Sequence, residues 1–394
     1  MSAPGPLDGI RVVDLTAMIS GPVATMMLAD QGADVIKVEP PAGDLVRHMG
    51  SSRGGMSATF LSSNRSKRSI VLDLKTSLGM EALRRLVRTA DVFVQNFRPG
   101  VAQRMGIGED AMRELRADLI YVSISGFGET GPYAHKRVYD PVIQALSGLA
   151  AIQADRDSGR PRMVRTIVPD KVTALAAAQA VTAALFARER SGQGQHLKLA
   201  MLDAIVAFLW PEGMTGHTFV GGEVEAARSQ LAQDLIFATT DGWITVGAVS
   251  DAEWSGLCRV LERPEWEADP RFLTAQDRVA NVAERLALTA EVLATRSSEA
   301  WLEALDAEGV PCAPVLSRAE VLTHEQILAN DLLAEYVHPQ AGRIRQPRPA
   351  ARFGATPACI RGPAPALGAD TETLLTELGF DGQDVQLLMG GQRA

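Results

Sequence analysis

Apolar and polar positions along this chain fall into two alternating regimes. Short β-branched or strictly alternating runs read as strands: Ile10–Leu15, Val35–Val38, Ser69–Leu72, Val92–Val94, Leu119–Ile124 and His196–Ala200. Between them lie stretches with helical spacing: Val23–Asp30, stopped by Gly32, then Ser77–Thr89, Glu109–Arg116 and Asp140–Ala151. Strand–helix–strand alternation implies parallel strands with right-handed crossovers. The fold class expected is α/β, a Rossmann-like large domain with helices on both faces of a parallel sheet. No G-x-G-x-x-G follows the first strand, so the dinucleotide fingerprint is absent.

The longest uninterrupted run is Val172–Arg188, rich in Ala, Leu and Val and free of Gly and Pro. Alanine has the best helix propensity, so a long helix is expected here. Pro169-Asp170 sits just ahead of it. Two readings of Asp170 stand side by side. It can be a helix cap, accepting bonds from unpaired first-turn N–H groups. It can also be a nucleophilic carboxylate held ionised at the positive helix end.

Beyond this helix, Ser191–Gly194 is a turn, Leu202–Leu209 a short helix, and Pro211–Gly222 a Gly-rich linker. Ile236–Ala248 reads as two strands around the Asp241-Gly242 turn. Helices are expected near Glu253–Leu261, Val279–Ala294 and Ser298–Glu308. The expected domains are residues 1–210, a smaller α+β domain at 225–320, and a C-terminal segment at 330–394. In that segment Pro347–Pro365 is extended and Thr371–Leu378 makes a last helix.

Composition narrows the function. The chain has 394 residues, 46% hydrophobic and 22% charged, with a net charge of −8, which argues against general nucleic-acid binding. The three cysteines are scattered and the six histidines show no ligand spacing, so neither a disulfide framework nor a structural metal is expected. No signal peptide is evident at Met1–Asp8 and no apolar run reaches about 18 residues, so the cytoplasm is expected and no membrane partner. In open α/β sheets ligands bind outside the carboxyl ends of the strands. That selects the loops Thr16–Gly21, Asp73–Thr76, Asn96–Gly100 and Gly126–Tyr139.

Several stretches together resemble the class III CoA-transferases, a family that also contains the α-methylacyl-CoA racemases. They are Pro6–Thr16, Gly32–Pro41 with Gly43-Asp44, and Asn64 with Lys67-Arg68-Ser69 and Leu72–Lys75. Asn96–Gly100, Gly126-Phe127-Gly128 with Gly131-Pro132, Asp269–Phe272 and Gly309-Val310-Pro311 complete the series. Each motif alone is common; in this order, over nearly the whole chain, they are specific.

The resemblance implies a large domain built from both chain ends, a small domain between them, and an interlocked homodimer of threaded rings. It implies that an aspartate attacks an acyl-CoA thioester to give an aspartyl–acyl anhydride. CoA thiolate then attacks the aspartyl carbonyl and leaves an aspartyl-CoA thioester, from which CoA passes to an acceptor acid. The matching catalytic residue is Asp170. No cofactor is expected to be bound permanently; acyl-CoA is the substrate and a carboxylic acid the acceptor. By family position CoA would be met by Ile19, Ser20, Leu72, Asp73, Leu74, Lys75, Asn96, Phe97, Arg98, Arg104, Arg137, Val138, Tyr139 and Asp140. Lys75, Arg104 and Arg137 suit phosphates, and Phe97 suits the adenine. The family's oxyanion donors lie in part on a small-domain loop; Gly247–Ser250 matches it with one glycine rather than a run.

Two departures from the family pattern bear on subclass. The racemases carry a histidine directly before the residue matching Asp140; here that position is Tyr139, and His135 lies four residues earlier. Without the imidazole, α-proton exchange lacks one base. Ile19 stands where formyl-CoA transferases carry glutamine, which suggests a less polar acyl group. The alternatives are an acyl-CoA racemase on the same scaffold and a non-catalytic CoA-binding protein.

Overall fold

The computed structural model describes residues 4–155, 158–222 and 234–390. Two compact units divide the chain: Met1–Leu209 with Asp331–Ala394, and Trp210–Asn330.

The first unit is built on six strands: β1 (Arg11–Asp14), β2 (Asp34–Glu39), β3 (Arg68–Val71), β4 (Val92–Gln95), β5 (Ile120–Ser125) and β6 (His196–Ala200). Their order across the sheet is β3-β2-β1-β4-β5-β6, and every pairing is parallel. This is the doubly wound order, in which the winding reverses between β1 and β4. Strands covered on both faces must be apolar throughout, which is why Val12, Val13, Val35, Ile36, Val92 and Phe93 are all buried.

One face carries α1 (Ser20–Asp30) and a 24-residue helix, Val168–Ser191. The long helix buries Ala174, Ala177, Ala178, Val181, Ala184 and Leu185, spaced to form a single stripe. Five of the six are Ala or Val, and these small side chains let it lie close against Ala24, Leu28 and Ala29 of α1. The other face carries α2 (Ser77–Arg88), whose Ala82, Leu83, Leu86 and Val87 pack with Phe93, Tyr121, Leu374 and Leu375. The chain's C-terminal part thus contributes to the core of the first unit.

The second unit has a three-stranded antiparallel sheet of Ile236–Ala238, Trp243–Val246 and Cys312–Pro314. Its core gathers Trp254, Trp266, Trp301, Phe272 and Leu293. Part of the expected start of this region, at 225–233, lies outside the described residues.

Several expected boundaries shift. The Asp140–Ala151 helix is two, Asp140–Leu146 and Leu149–Ile152, because Gly148 takes φ +88° between them. Residues 275–293 likewise form two helices that meet at Asn281. The helix α1 begins at Ser20, not Val23, and the long helix at Val168, not Val172. Elements absent from the sequence reading are the helices Ala58–Asn64 and Gly382–Gly390 and the hairpin Leu333–His338/Gly342–Pro347. Among the described residues no helix is long and apolar enough to cross a membrane.

Candidate active site

The four loops selected from sequence all leave the same edge of the sheet, because they follow β1, β3, β4 and β5 and these strands are parallel. The two loops flanking the winding reversal are tied together. Asn96 Oδ1 accepts the Ala17 N–H at 3.0 Å, and Asn96 Nδ2 donates to the Ala17 carbonyl at 2.8 Å. Asn96 therefore fixes the width of the crevice from inside.

The long helix crosses from β5 back to β6, so its N-terminus also lies at this edge. Asp170 belongs to its first turn rather than preceding it; the N-cap position is Ile167, which offers no side-chain cap. Asp170 instead faces the start of a different helix. The N-cap position of α1 is Ile19, again with no side-chain cap. The Ser20 N–H and hydroxyl face the Asp170 carboxylate and favour its ionised form. Asp140 in turn accepts the Asp170 N–H at 3.4 Å and is held by Gln144 Nε2 at 2.6 Å. Gln144 is itself anchored to the Val164 N–H at 2.9 Å and the Val164 carbonyl at 3.2 Å. Two helix N-termini thus converge on two carboxylates, where the partial positive charge of a helix start favours the ionised form.

This arrangement is electrostatically unbalanced. Burial, and then the neighbouring Asp140 carboxylate, push the Asp170 carboxyl up to about 6, against the lowering effect of the Ser20 donors. Asp140 is only 4% exposed, whereas Asp170 is half-buried and can be reached. A carboxylate with tight donors on one side, an open side and weakened solvation has the features of an oxygen nucleophile.

The remaining sequence-selected residues sort by environment. Ser20 is buried at the start of α1, and Ile19 is half-buried beside it. Leu72 is in the core and Leu74 packs against it, while Asp73 Oδ1 accepts the Lys75 N–H at 3.0 Å to shape the turn into α2. Lys75, Arg98 and Arg137 are exposed on these loops and Arg104 on the short helix Val101–Arg104 that follows the third, and no ion pair engages them among the described residues. Phe97 packs against the core, and its N–H donates to Gln95 Oε1 at 2.8 Å. Gln95 is braced by Ser123 at 2.9 Å, which bonds His196 at 2.9 Å. Val138 fills the space where Gly126 lacks a side chain, since a Cβ there would lie 2.4 Å from Val138 Cγ1. Tyr139 is 64% exposed and His135 is also exposed.

In the second unit, the loop expected to supply oxyanion donors is already engaged. The Gly247 N–H donates to the Pro311 carbonyl, and the Val249 and Ser250 N–H groups both donate to Glu253 Oε2 at 2.8 Å. Ser250 and Glu253 form a capping box for the following helix.

Sequence reasoning missed the support behind the β1 loop. Lys37, fully buried, donates to the Thr16 carbonyl at 2.8 Å and to Asp44 Oδ2 at 2.9 Å. Lys67 bonds Asp14 at 2.9 Å. Both lysines sit in quoted motifs, but nothing in their spacing distinguishes a buried lysine from a solvated one.

Comparison with known proteins agrees with this architecture. A family model described as CoA-transferase family III matches residues 7–371. Succinyl-CoA:glutarate CoA-transferase of Mus musculus is 35% identical over 392 residues, covering 98% of this chain and 89% of that protein. Succinate–glutarate CoA-transferase of Agrobacterium fabrum is 36% identical over 386 residues, covering 95% and 96%. The crystal structure of Rv3272 from M. tuberculosis superposes with a TM-score of 0.84 at 31% identity, covering 95% of this chain and 99% of that one. A sheet wound in this order and a match of this extent carry the same conclusion: the chain belongs to CoA-transferase family III and is a class III CoA-transferase.

Proposed function

We propose that this protein moves CoA between carboxylic acids through covalent intermediates on Asp170. An Asp170 oxygen attacks the thioester carbonyl carbon, the C–S bond breaks, and CoA leaves as thiolate. The product is a mixed anhydride between donor acyl group and Asp170. The thiolate then attacks the Asp170 carbonyl carbon, releasing the donor acid as its carboxylate and leaving an aspartyl-CoA thioester. The acceptor carboxylate attacks that carbonyl, expelling thiolate, which captures the acceptor acyl carbon and frees Asp170. One thioester is consumed and one formed, so no external energy source is required.

The observation that carries this reading is the placement of the Asp170 carboxylate. It sits in the first turn of one helix and faces the first turn of another, with Ser20 on one side. Ser20 donors orient the attacking oxygen and stabilise the carboxylate when it is regenerated. The exposed cations Lys75, Arg98, Arg104 and Arg137 on the same sheet edge suit the phosphates of CoA. The relatives are named for succinate, glutarate, mesaconate and oxalate, which favours a short dicarboxylic acid on at least one side of the exchange. Ile19 beside Met18 argues for an apolar acyl chain, so an apolar acyl-CoA belongs in the same substrate panel.

The first unit, drawn from both ends of the chain, is the proposed CoA-binding domain. A homodimer is the proposed assembly: Leu175, Phe186 and Phe208 project apolar surface from adjacent helices, at 57%, 66% and 58% exposure.

The test is peptide mass spectrometry after incubation with an acyl-CoA panel and trapping with hydroxylamine. A hydroxamate on the peptide containing Asp170, absent from Asp170→Ala, supports the route and identifies the donor. Solvent deuterium entering the substrate α-carbon with no acceptor present, and no adduct, would instead establish the racemase reading.

A further inference from the structure

Ser20 can hold Asp170 only if the loop leading to it, Thr16–Ile19, keeps its shape. That shape is not one the chain adopts freely. Met18 has φ +70°, a left-handed conformation disfavoured for a non-glycine residue. The loop is also closed tightly: a Cβ on Gly21 would lie 2.3 Å from Thr16 Cβ, so the start of α1 rests directly on Thr16.

Something must therefore hold the loop, and the contacts are explicit. The Met18 N–H donates to Asp44 Oδ1 at 3.2 Å. Asp44 Oδ2 receives Lys37 Nζ at 2.9 Å, and the same ammonium holds the Thr16 carbonyl at 2.8 Å. The two side chains are 0% and 2% exposed. The Asp44 N–H donates to Glu39 Oε2 at 3.0 Å, and Glu39 pairs with Arg47. Behind them Asp14 accepts the Thr16 N–H at 2.9 Å and pairs with Lys67. A single buried ion pair thus grips the loop at two points, the Thr16 carbonyl and the Met18 N–H.

We infer that Lys37 and Asp44 are positioning residues for the transferase reaction, holding Met18 in its left-handed conformation so that Ser20 presents both donors to Asp170. The inference rests on Asp170 being the nucleophile. Lys37 and Asp44 touch neither substrate nor the reacting atoms; they act through the main chain of residues 16–20.

The test is the single-turnover rate of hydroxamate-trappable adduct formation on Asp170, followed across pH, for Met18→Val, Met18→Gly and Asp44→Asn. Met18→Val and Met18→Gly both remove the methionine side chain, but only the β-branched residue is disfavoured at φ +70°. Met18→Val is expected to slow adduct formation roughly tenfold to a hundredfold and to move its acid limb to higher pH, because Ser20 no longer favours the ionised carboxylate. Met18→Gly is expected to stay within about threefold of the parent rate. Asp44→Asn, which keeps an oxygen for Met18 but unpairs Lys37, is expected to follow Met18→Val. Its acid limb is read only if thermal denaturation shows a folded protein, and the Met18 pair decides the question in any case. Equal rates and unshifted profiles for Met18→Val and Met18→Gly would overturn the inference. An absence of any adduct on the parent enzyme would overturn the Asp170 reading itself, so the two failures are distinguishable.

Discussion

Two buried aspartate clusters lie near the same loop and are built on opposite electrostatic plans. Around Asp14, charge is matched. Burial alone would raise its carboxyl, but Lys67 and Lys37, with hydroxyls from Thr16 and Thr25, hold it well below the usual carboxylate range. Around Asp170, charge is unmatched: a second carboxylate, Asp140, is its neighbour, and the groups that answer the pair are neutral, helix-start N–H groups, the Ser20 hydroxyl and the Gln144 amide. Matched charge makes a rigid support, with every lone pair spoken for. Unmatched charge leaves a carboxylate whose ionisation is weakly held and whose open face is available for bonding. On the proposed mechanism, the contrast separates scaffold from reagent among residues of one type.

The largest effect should come from removing the reagent. Asp170→Ala is expected to lower kcat for CoA transfer by at least about 10³-fold. The same change should leave the protein folded, since it relieves a like-charge contact; steady-state kinetics and a melting curve measure the two together. Removing the scaffold should do the reverse. Asp14→Ala strands the buried Lys67 without its carboxylate partner and is expected to cost about 3–5 kcal/mol in urea denaturation.

The two aspartates should also give stability opposite dependences on pH. Asp170 has a folded value of about 6 against an ordinary 3.8, so its stabilising state is the protonated one. Stability from this group is complete below about pH 4 and is lost as pH rises toward 6. Asp170→Asn should therefore equal the parent near pH 3.5 and exceed it by about 1–2 kcal/mol near pH 7.5. Asp14 has the opposite sign: its contribution is present above the ordinary value of 3.8 and disappears as pH falls through its lowered folded value.

Smallest should be the exposed cations. Lys75→Ala, Arg98→Ala, Arg104→Ala and Arg137→Ala are each expected to raise KM for acyl-CoA several-fold, more at low salt, while changing stability by less than about 0.5 kcal/mol. A change in kcat without a change in KM for any of them would remove it from the proposed phosphate site.

The contrast between the clusters also explains what the sequence could and could not convey. The sheet was legible because doubly covered parallel strands are apolar runs, and β1, β2, β4 and β6 needed only local pattern. The long helix was legible from Val172 onward, but its first turn was not, because Pro169 at a helix start is indistinguishable locally from Pro in a preceding turn. In the sequence Asp170 reads as a cap for its own helix or as a nucleophile; that it faces Ser20 at the start of α1 depends on two helices meeting in space. Lys37 stands in the otherwise apolar run Val35–Val38 with nothing local to say whether it is buried; it is, because Asp44 and the Thr16 carbonyl reach its ammonium. The hairpin Leu333–His338/Gly342–Pro347 carries four charged or imidazole side chains among its strands and shows no apolar run to mark it. Local pattern reports what a segment buries; it does not report which charges are answered by distant partners.

The most direct test of the account is the pH dependence of adduct formation on Asp170 in the parent enzyme and in Asp140→Asn. Asparagine keeps an oxygen for the Asp170 N–H but removes the opposing charge. The account predicts that the parent rate rises with a midpoint near pH 6 and that the midpoint in Asp140→Asn falls toward the ordinary carboxylate value. An unchanged midpoint, or one displaced upward, would contradict the claim that unmatched charge sets Asp170 apart.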